Sequence, residues 1–186
     1  MKLKKMNAAL GLLSIAAMLL HIVNIVFSYL TFDFKLLTAI PLMVLVCLHA
    51  ICGMLTVFLQ ADGMRLDLYP KQNLRTILQR VSAALILPLL ILHINTFDML
   101  KSAAEAGRWL WFSLLLLSQL LFYGTVLTHV AVSITRGMIT LGLLTSLDRQ
   151  KRIDRVIYVI CAAVFIIASF VVIKTELAMF LPGGMV

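Results

Sequence analysis

The chain has 186 residues, of which 62% are hydrophobic and only 13% carry a charge, and its mean hydropathy is +1.06. A soluble domain of this length cannot hide so much apolar surface, so the composition excludes that class and indicates an integral membrane protein. The net charge of +8 arises because 16 lysines and arginines outnumber 8 acidic residues, and no part of the chain resembles a nucleic-acid-binding patch.

Five apolar runs are long enough to cross a hydrocarbon core of roughly 30 Å as α-helices. They predict an all-α fold, with one membrane domain over residues 1–186 and spans at about 7–30, 36–59, 81–100, 109–134 and 156–178. The basic start and first apolar run resemble a signal peptide. That run continues through HIVNIVFSYL with no convincing small-residue cleavage site, which favours an uncleaved first span.

The distribution of lysine and arginine predicts the orientation, because positive residues concentrate on the cytoplasmic side. With the N-terminus inside and the C-terminus outside, twelve of the sixteen basic residues fall on the cytoplasmic face. The two longest connections, at 60–80 and about 135–155, lie on that face. They are the predicted docking surface for a cytoplasmic partner, and their positive charge also favours binding to anionic lipid headgroups.

Four histidines occur within spans, one in each of the first four: His21, His49, His93 and His129. An ionisable side chain inside a span is costly and indicates function. At 1.5 Å of rise per residue, His21 and His93 share a level roughly 18 to 21 Å from the inner surface. His49 and His129 lie at a second level, roughly 8 to 15 Å deep.

Each level takes its two histidines from nonadjacent spans, as diagonally opposed helices of a four-helix bundle would provide. Two imidazoles facing across an apolar interior are what a low-spin haem requires, so two levels predict two haems. Histidines at two different depths cannot all ligate one zinc ion, because zinc needs its four ligands around a single point. A di-iron centre is also excluded, because the bundle lacks the carboxylates that would bridge the irons. Histidines that only hydrogen-bond neighbouring helices remain an alternative.

Several neighbouring residues suit a large planar cofactor. Gly53 follows His49 by four residues and could leave room for a porphyrin edge or for close helix packing. Arg136 follows His129 by seven residues and could reach a haem propionate. Arg80 and Ser82 are further candidates for the propionates. Interfacial anchoring is the alternative for all three polar residues.

Five segments follow one another along the chain: LGLLSIAAMLLHIVN around His21, PLMVLVCLHAICG around His49, QRVSAALILPLLILH ending at His93, HVAVSITRGMIT starting at His129, and RQKRIDRVIYVI entering the fifth span. This succession resembles the single-chain, two-haem cytochrome b subunit that anchors succinate dehydrogenases and fumarate reductases to bacterial membranes. The resemblance covers most of the chain in order and span count.

The resemblance implies that His21 and His93 ligate a distal haem b, and that His49 and His129 ligate a proximal one. It also implies a cytoplasmic flavoprotein with FAD and an iron–sulfur protein docked on the inner face. The chain itself would then carry electrons to or from quinone, usually menaquinone, in the cell membrane. The succinate or fumarate active site would belong to the partner.

The family's quinone site lies near the distal haem, so outer polar residues are its candidates: Asn24, Asp33, Asn95 and Asp98. A quinone carbonyl needs a hydrogen-bond donor, and its reduction needs a proton route. The first outer connection, TFDFK, is shorter than in many relatives. Ordinary interfacial polar residues are the alternative for all four positions.

Two other functions fit parts of the pattern. The cytochrome b subunit of a hydrogenase, formate dehydrogenase or nitrate reductase also uses histidine pairs between helices, but its partner often docks on the outer face. A haem-free transporter or scaffold would use the histidines structurally or as proton carriers.

Overall fold

The computed structural model describes residues 2–28, 35–59 and 70–180, and its elements there are five α-helices. In chain order they are α1 (Lys2–Ser28), α2 (Lys35–Leu59), α3 (Pro70–Glu105), α4 (Trp109–Thr140) and α5 (Leu147–Phe180). Each is long and apolar enough to cross a membrane. This confirms the predicted all-α class and the five apolar helices, which indicate a multi-pass membrane protein.

The helices extend beyond the predicted spans. α3 begins at Pro70 rather than near residue 81, α4 continues to Thr140, and α5 begins at Leu147 rather than near residue 156. Hydropathy marks the part of a helix that prefers hydrocarbon, whereas the backbone hydrogen bonds continue into polar sequence. The two stretches predicted as long cytoplasmic connections are therefore largely helical where the structure describes them.

Two glycines end α3 and α4 in the same way. Gly107 and Gly142 have φ values of 63° and 79°, a left-handed conformation that side-chain-bearing residues rarely adopt. After α3, the Arg108 N–H donates to the Ala103 carbonyl at 2.8 Å; after α4, the Leu143 N–H donates to the Met138 carbonyl at 2.9 Å. These Schellman motifs satisfy the last carbonyls of each helix and stop it sharply.

The chain divides into two compact units. The first contains Met1–Pro70 and Ser133–Ile153, in which α1 packs along α2. The second contains Lys71–Val132 and Asp154–Val186. Its core is built from Leu100 and Ala103 of α3 with Phe112 and Leu115 of α4, and Leu177 of α5 packs against it.

Large apolar side chains cover the outside of the helices. Phe58 and Leu110, for example, are 79% and 78% exposed. A soluble protein would hide such side chains, whereas hydrocarbon solvates them. The exposed surface therefore agrees with the membrane character of the sequence.

Arg75 joins three helices of the second unit. Its guanidinium donates two 2.9 Å hydrogen bonds to the carboxylate of Asp154 on α5, and its Nε donates to the Val132 carbonyl on α4 at 2.9 Å. Both charged side chains are largely buried, with 17% and 14% exposed. Paired, bidentate geometry is what makes a buried charge tolerable, so this contact fixes the ends of α3 and α5 against α4.

We expect Asp154→Asn to destabilise the protein by about 1–3 kcal/mol, because it leaves the Arg75 guanidinium without its charge partner. Arg75→Lys should also destabilise it, since an ammonium cannot reproduce the two parallel bonds. Thermal unfolding in detergent measures both. Asp148→Asn, at an exposed position in the first turn of α5, is the matched control, and equal melting temperatures for the Asp154 and Asp148 variants would contradict this role.

Candidate functional site

The four histidines are all half-buried, and each is held by the neighbouring helix of its own pair. His21 and His49 belong to the α1–α2 pair, and His93 and His129 belong to the α3–α4 pair. In every case the ring nitrogen that makes the contact is Nδ1. The contacts run both ways in each pair, because each helix both carries a histidine and anchors the histidine of its partner.

His49 on α2 is anchored to the backbone of α1. Its Nδ1 lies 3.0 Å from the carbonyl oxygen of Asn7. A carbonyl only accepts hydrogen bonds, so Nδ1 carries the proton, and in the neutral ring the lone pair resides on Nε2. A helix carbonyl has a second lone pair beyond its own ladder bond, which makes this contact possible within an apolar span.

Gly11 makes room for this histidine ring. A Cβ added at Gly11 would lie 3.0 Å from Cε1 and 3.3 Å from Nδ1 of His49, closer than side chains normally approach. The absence of a side chain at Gly11 therefore lets the imidazole lie directly against α1. At Gly53 an added Cβ would meet only the side-chain amide of Asn7, with Oδ1 at 3.6 Å and Nδ2 at 4.0 Å, which are ordinary contacts.

His129 on α4 is anchored to α3 by two acceptors. Its Nδ1 lies 3.1 Å from the Gln79 carbonyl and 3.1 Å from Oγ of Ser82. The Ser82 hydroxyl donates to the carbonyl of Leu78 at 2.6 Å, so it accepts from the histidine. Ser82 is buried and contacts the histidine ring, and its assignment to a haem propionate stays a prediction.

His93 on α3 is anchored to Gln119 of α4. Its Nδ1 lies 2.6 Å from Oε1 of Gln119, and the amide Nε2 of Gln119 donates to Oγ1 of Thr96 at 2.6 Å. Phe122 stacks on the imidazole with ring centroids 4.7 Å apart, and Tyr123 approaches its edge at 5.8 Å. Residues 119, 122 and 123 share one face of α4, which forms the wall against which His93 lies.

His21 on α1 contacts a hydroxyl of α2. Its Nδ1 lies 3.3 Å from Oγ1 of Thr38, and Nδ2 of Asn24 donates to the same oxygen at 3.2 Å. A hydroxyl can both donate and accept, so this contact holds the ring and permits either tautomer. Asn24, a predicted quinone-site residue, is therefore linked to His21 through Thr38.

When Nδ1 carries the proton, the lone pair of a neutral imidazole is on Nε2, the nitrogen through which the ring can ligate a metal. A metal-binding histidine typically uses its other nitrogen to donate to a carbonyl or side-chain oxygen, which fixes the tautomer and the ring orientation. Carbonyl or amide oxygens select this tautomer for His49, His93 and His129. These three rings thus fit ligation of a haem iron through Nε2.

The two predicted arginines occupy helical positions. Arg136 is half-buried on α4, seven residues after His129, as the sequence predicted. Arg80 is half-buried on α3, one residue beyond the carbonyl that accepts from His129. Their assignment to haem propionates, like that of Gly53 to the haem edge, stays a prediction.

The other predicted quinone-site residues lie apart from these contacts. Asn95 is exposed and donates to the Ile91 carbonyl of its own helix, and Asp98 is also exposed. Asp33 lies outside the described residues. Glu176 on α5 was not predicted; its Oε2 is buried and has no hydrogen-bond partner.

Sequence reasoning found the four histidines but missed the groups that hold them: Asn7, Thr38, Gln79, Thr96 and Gln119. Gln119 had a detectable signal, because it is an amide in the apolar run SLLLLSQLLFYG and such a group needs a hydrogen-bond partner there. A backbone carbonyl, as in Asn7 and Gln79, gives no such signal.

Among the described residues, no three His, Cys, Asp or Glu side chains lie close enough to hold a metal ion by themselves. Comparisons of the chain with protein-family models, with curated proteins and with solved structures find no match.

We expect Gly11→Ala to displace the His49 ring and to destabilise the protein by about 1–3 kcal/mol, the usual cost of overpacking. Gly53→Ala is the matched control, since its new Cβ makes an ordinary contact and alanine favours the helix by up to about 1 kcal/mol. Thermal unfolding in detergent compares the two. A Gly11→Ala protein as stable as Gly53→Ala would show that the space over Gly11 is not needed.

Proposed function

We propose that the chain is a membrane cytochrome b that binds two haems, the anchor subunit of a bacterial succinate dehydrogenase or fumarate reductase. Within a helix bundle formed by α1 to α4, His21 and His93 would ligate the iron of the distal haem, and His49 and His129 that of the proximal haem. The pairing rests on the depths of the four histidines in their spans and on the family resemblance of the surrounding segments.

One observation supports this proposal most directly: each of the four histidines is engaged through Nδ1 by the adjacent helix. A histidine that serves only as packing can use either nitrogen. Four rings that are all held through Nδ1 share the arrangement typical of metal-binding histidines, in which Nε2 would ligate the iron. Half-burial of all four rings in apolar helices supplies the low-polarity surroundings that a haem needs.

Two pairs of histidines, His21 with His93 and His49 with His129, would each hold one haem, and the haem would supply one-electron transfer when bound. The residues of this chain would hold the rings, exclude water and keep Nε2 of His49, His93 and His129 deprotonated. Asn7, Gln79 and Gln119 perform the last task by accepting from Nδ1. Arg80, Ser82 and Arg136 are the candidates for propionate binding, and Gly53 is the candidate for contact with a haem edge.

The proposed partners follow from charge and resemblance. With the N-terminus in the cytoplasm, the basic residues at 60–80 and about 135–155 would face the cytoplasm, where an iron–sulfur protein and a flavoprotein with FAD would dock. Those partners would perform the dicarboxylate chemistry. This chain would pass electrons between them and a quinone, menaquinone in the first instance, in the bacterial cell membrane.

The quinone site is proposed near the distal haem at the outer level. Asn24 is the best-supported of its candidates, because it is joined to His21 through the Thr38 hydroxyl and retains a second amide N–H. Asp33, Asn95 and Asp98 stay as candidates for the proton route at the water edge.

Single histidine substitutions test the pairing. We expect His49→Ala or His129→Ala to remove the inner haem, and His21→Ala or His93→Ala to remove the outer one, so that each variant keeps one haem per chain. Reduced-minus-oxidised spectra with a redox titration identify which haem remains. Cys161→Ala, on the helix without a histidine, is the control and should keep both.

Loss of both haems from any one of the four histidine variants would contradict the assignment of the histidines to two separate haem levels. A colourless wild-type protein, produced with ample haem, would instead favour the haem-free transporter or scaffold.

A further inference from the structure

A chain of three hydrogen bonds in the second unit determines which nitrogen of His93 carries the proton. It runs from Nδ1 of His93 to Gln119, from Gln119 to Thr96, and from Thr96 to the carbonyl of Leu92, over distances of 2.6, 2.6 and 2.7 Å. Gln119 and Thr96 are buried, with 4% and 2% exposed. Buried polar groups in an apolar helix persist only when they are paired, and these are.

The direction of the chain follows from its last member. The Thr96 hydroxyl has a single hydrogen, which it donates to the Leu92 carbonyl. Its oxygen can therefore only accept from Gln119, which orients the amide with Nε2 toward Thr96 and Oε1 toward the histidine. Oε1 has no hydrogen to give, so Nδ1 of His93 must donate. The lone pair of the neutral ring is then on Nε2.

From this geometry we infer that Gln119 is a positioning residue, which holds His93 with Nε2 as its ligating nitrogen and sets the electron density of the ring. A strong hydrogen bond from Nδ1 makes an imidazole a better electron donor to the metal that its other nitrogen binds. Electron donation by an axial ligand stabilises the oxidised iron and lowers the potential. The inference rests on the proposed haem function for its redox consequence, but the tautomer of His93 stands without it.

Gln119 is also the only readily altered anchor among the three that fix a tautomer. His49 and His129 donate to backbone carbonyls, which no side-chain substitution removes. The side chain of Gln119 can be substituted, so a single substitution can change the hydrogen bond to His93 and with it the electron density of that ring. We therefore expect the two haems to respond differently to substitution of the residues around their histidines.

Two variants of Gln119 test this role. Gln119→Leu removes the acceptor at similar volume, and Gln119→Glu keeps an oxygen in its place. We expect the leucine variant to raise the midpoint potential of one haem and to leave the other unchanged, and the glutamate variant to restore or lower it. Thr125→Val is the matched control, since the Thr125 hydroxyl of the same helix bonds only to its own Leu121 carbonyl.

The outcomes separate the two proposals. Two haems with unchanged potentials and spectra in Gln119→Leu would overturn the role of Gln119 and leave the haem function intact. Loss of one haem in Gln119→Leu that Gln119→Glu restores would support it. If Gln119→Leu loses one haem, and neither Gln119→Glu nor any other hydrogen-bond acceptor at residue 119 restores that haem, the proposed role of Gln119 is overturned.

A second readout needs no haem. Nitrogen-15 spectra of histidine-labelled protein, assigned with His93→Ala, report which nitrogen of His93 is protonated. We expect the proton on Nδ1 in the haem-free wild type and no longer exclusively there in Gln119→Leu. A proton on Nε2 of His93 in the wild type would overturn the inference, whether or not the protein binds haem.

Discussion

The structure depends on how an imidazole is accommodated inside an apolar helix. Its N–H needs an acceptor, and the helix that carries it has already used its own backbone groups. The acceptor must come from the next helix, either as the second lone pair of a carbonyl or as a polar side chain. His49 and His129 use the first solution, and His93 uses the second. Each histidine thereby fixes the rotation of one helix against its neighbour.

The same contact serves the proposed chemistry. An acceptor on Nδ1 selects the tautomer in which Nε2 is a ligand, so the bond that makes a buried histidine tolerable also prepares it for iron. Other features follow from it. Gly11 has no side chain because the His49 ring needs the space, and Ser82 is buried because it contacts the His129 ring. In the proposed function, one set of hydrogen bonds would serve both helix packing and metal binding.

Much of the fold was predictable from hydropathy, because apolar runs of sufficient length in lipid have few alternatives to the helix. The N-terminal ends of α3 and α5 were not predictable, because a specific contact between distant residues holds them: Arg75 pairs with Asp154, 79 residues away. From hydropathy, both residues were assigned to connections between spans. The histidines were predictable because a titratable residue is conspicuous in an apolar span. Their anchors were not, because Asn7 is 42 residues from His49 and only the rotation of α1 against α2 brings them together.

The most direct measurement is the haem content of the purified chain or its complex, from a pyridine haemochrome assay against protein concentration. We expect two b haems per chain, with reduced-minus-oxidised spectra of six-coordinate, low-spin iron. A ratio of one haem per chain would mean that two of the four histidines do not ligate haem, and it would contradict the two-level pairing. None, in protein produced with ample haem, would contradict the proposed function and leave the four Nδ1 contacts as helix-packing bonds alone.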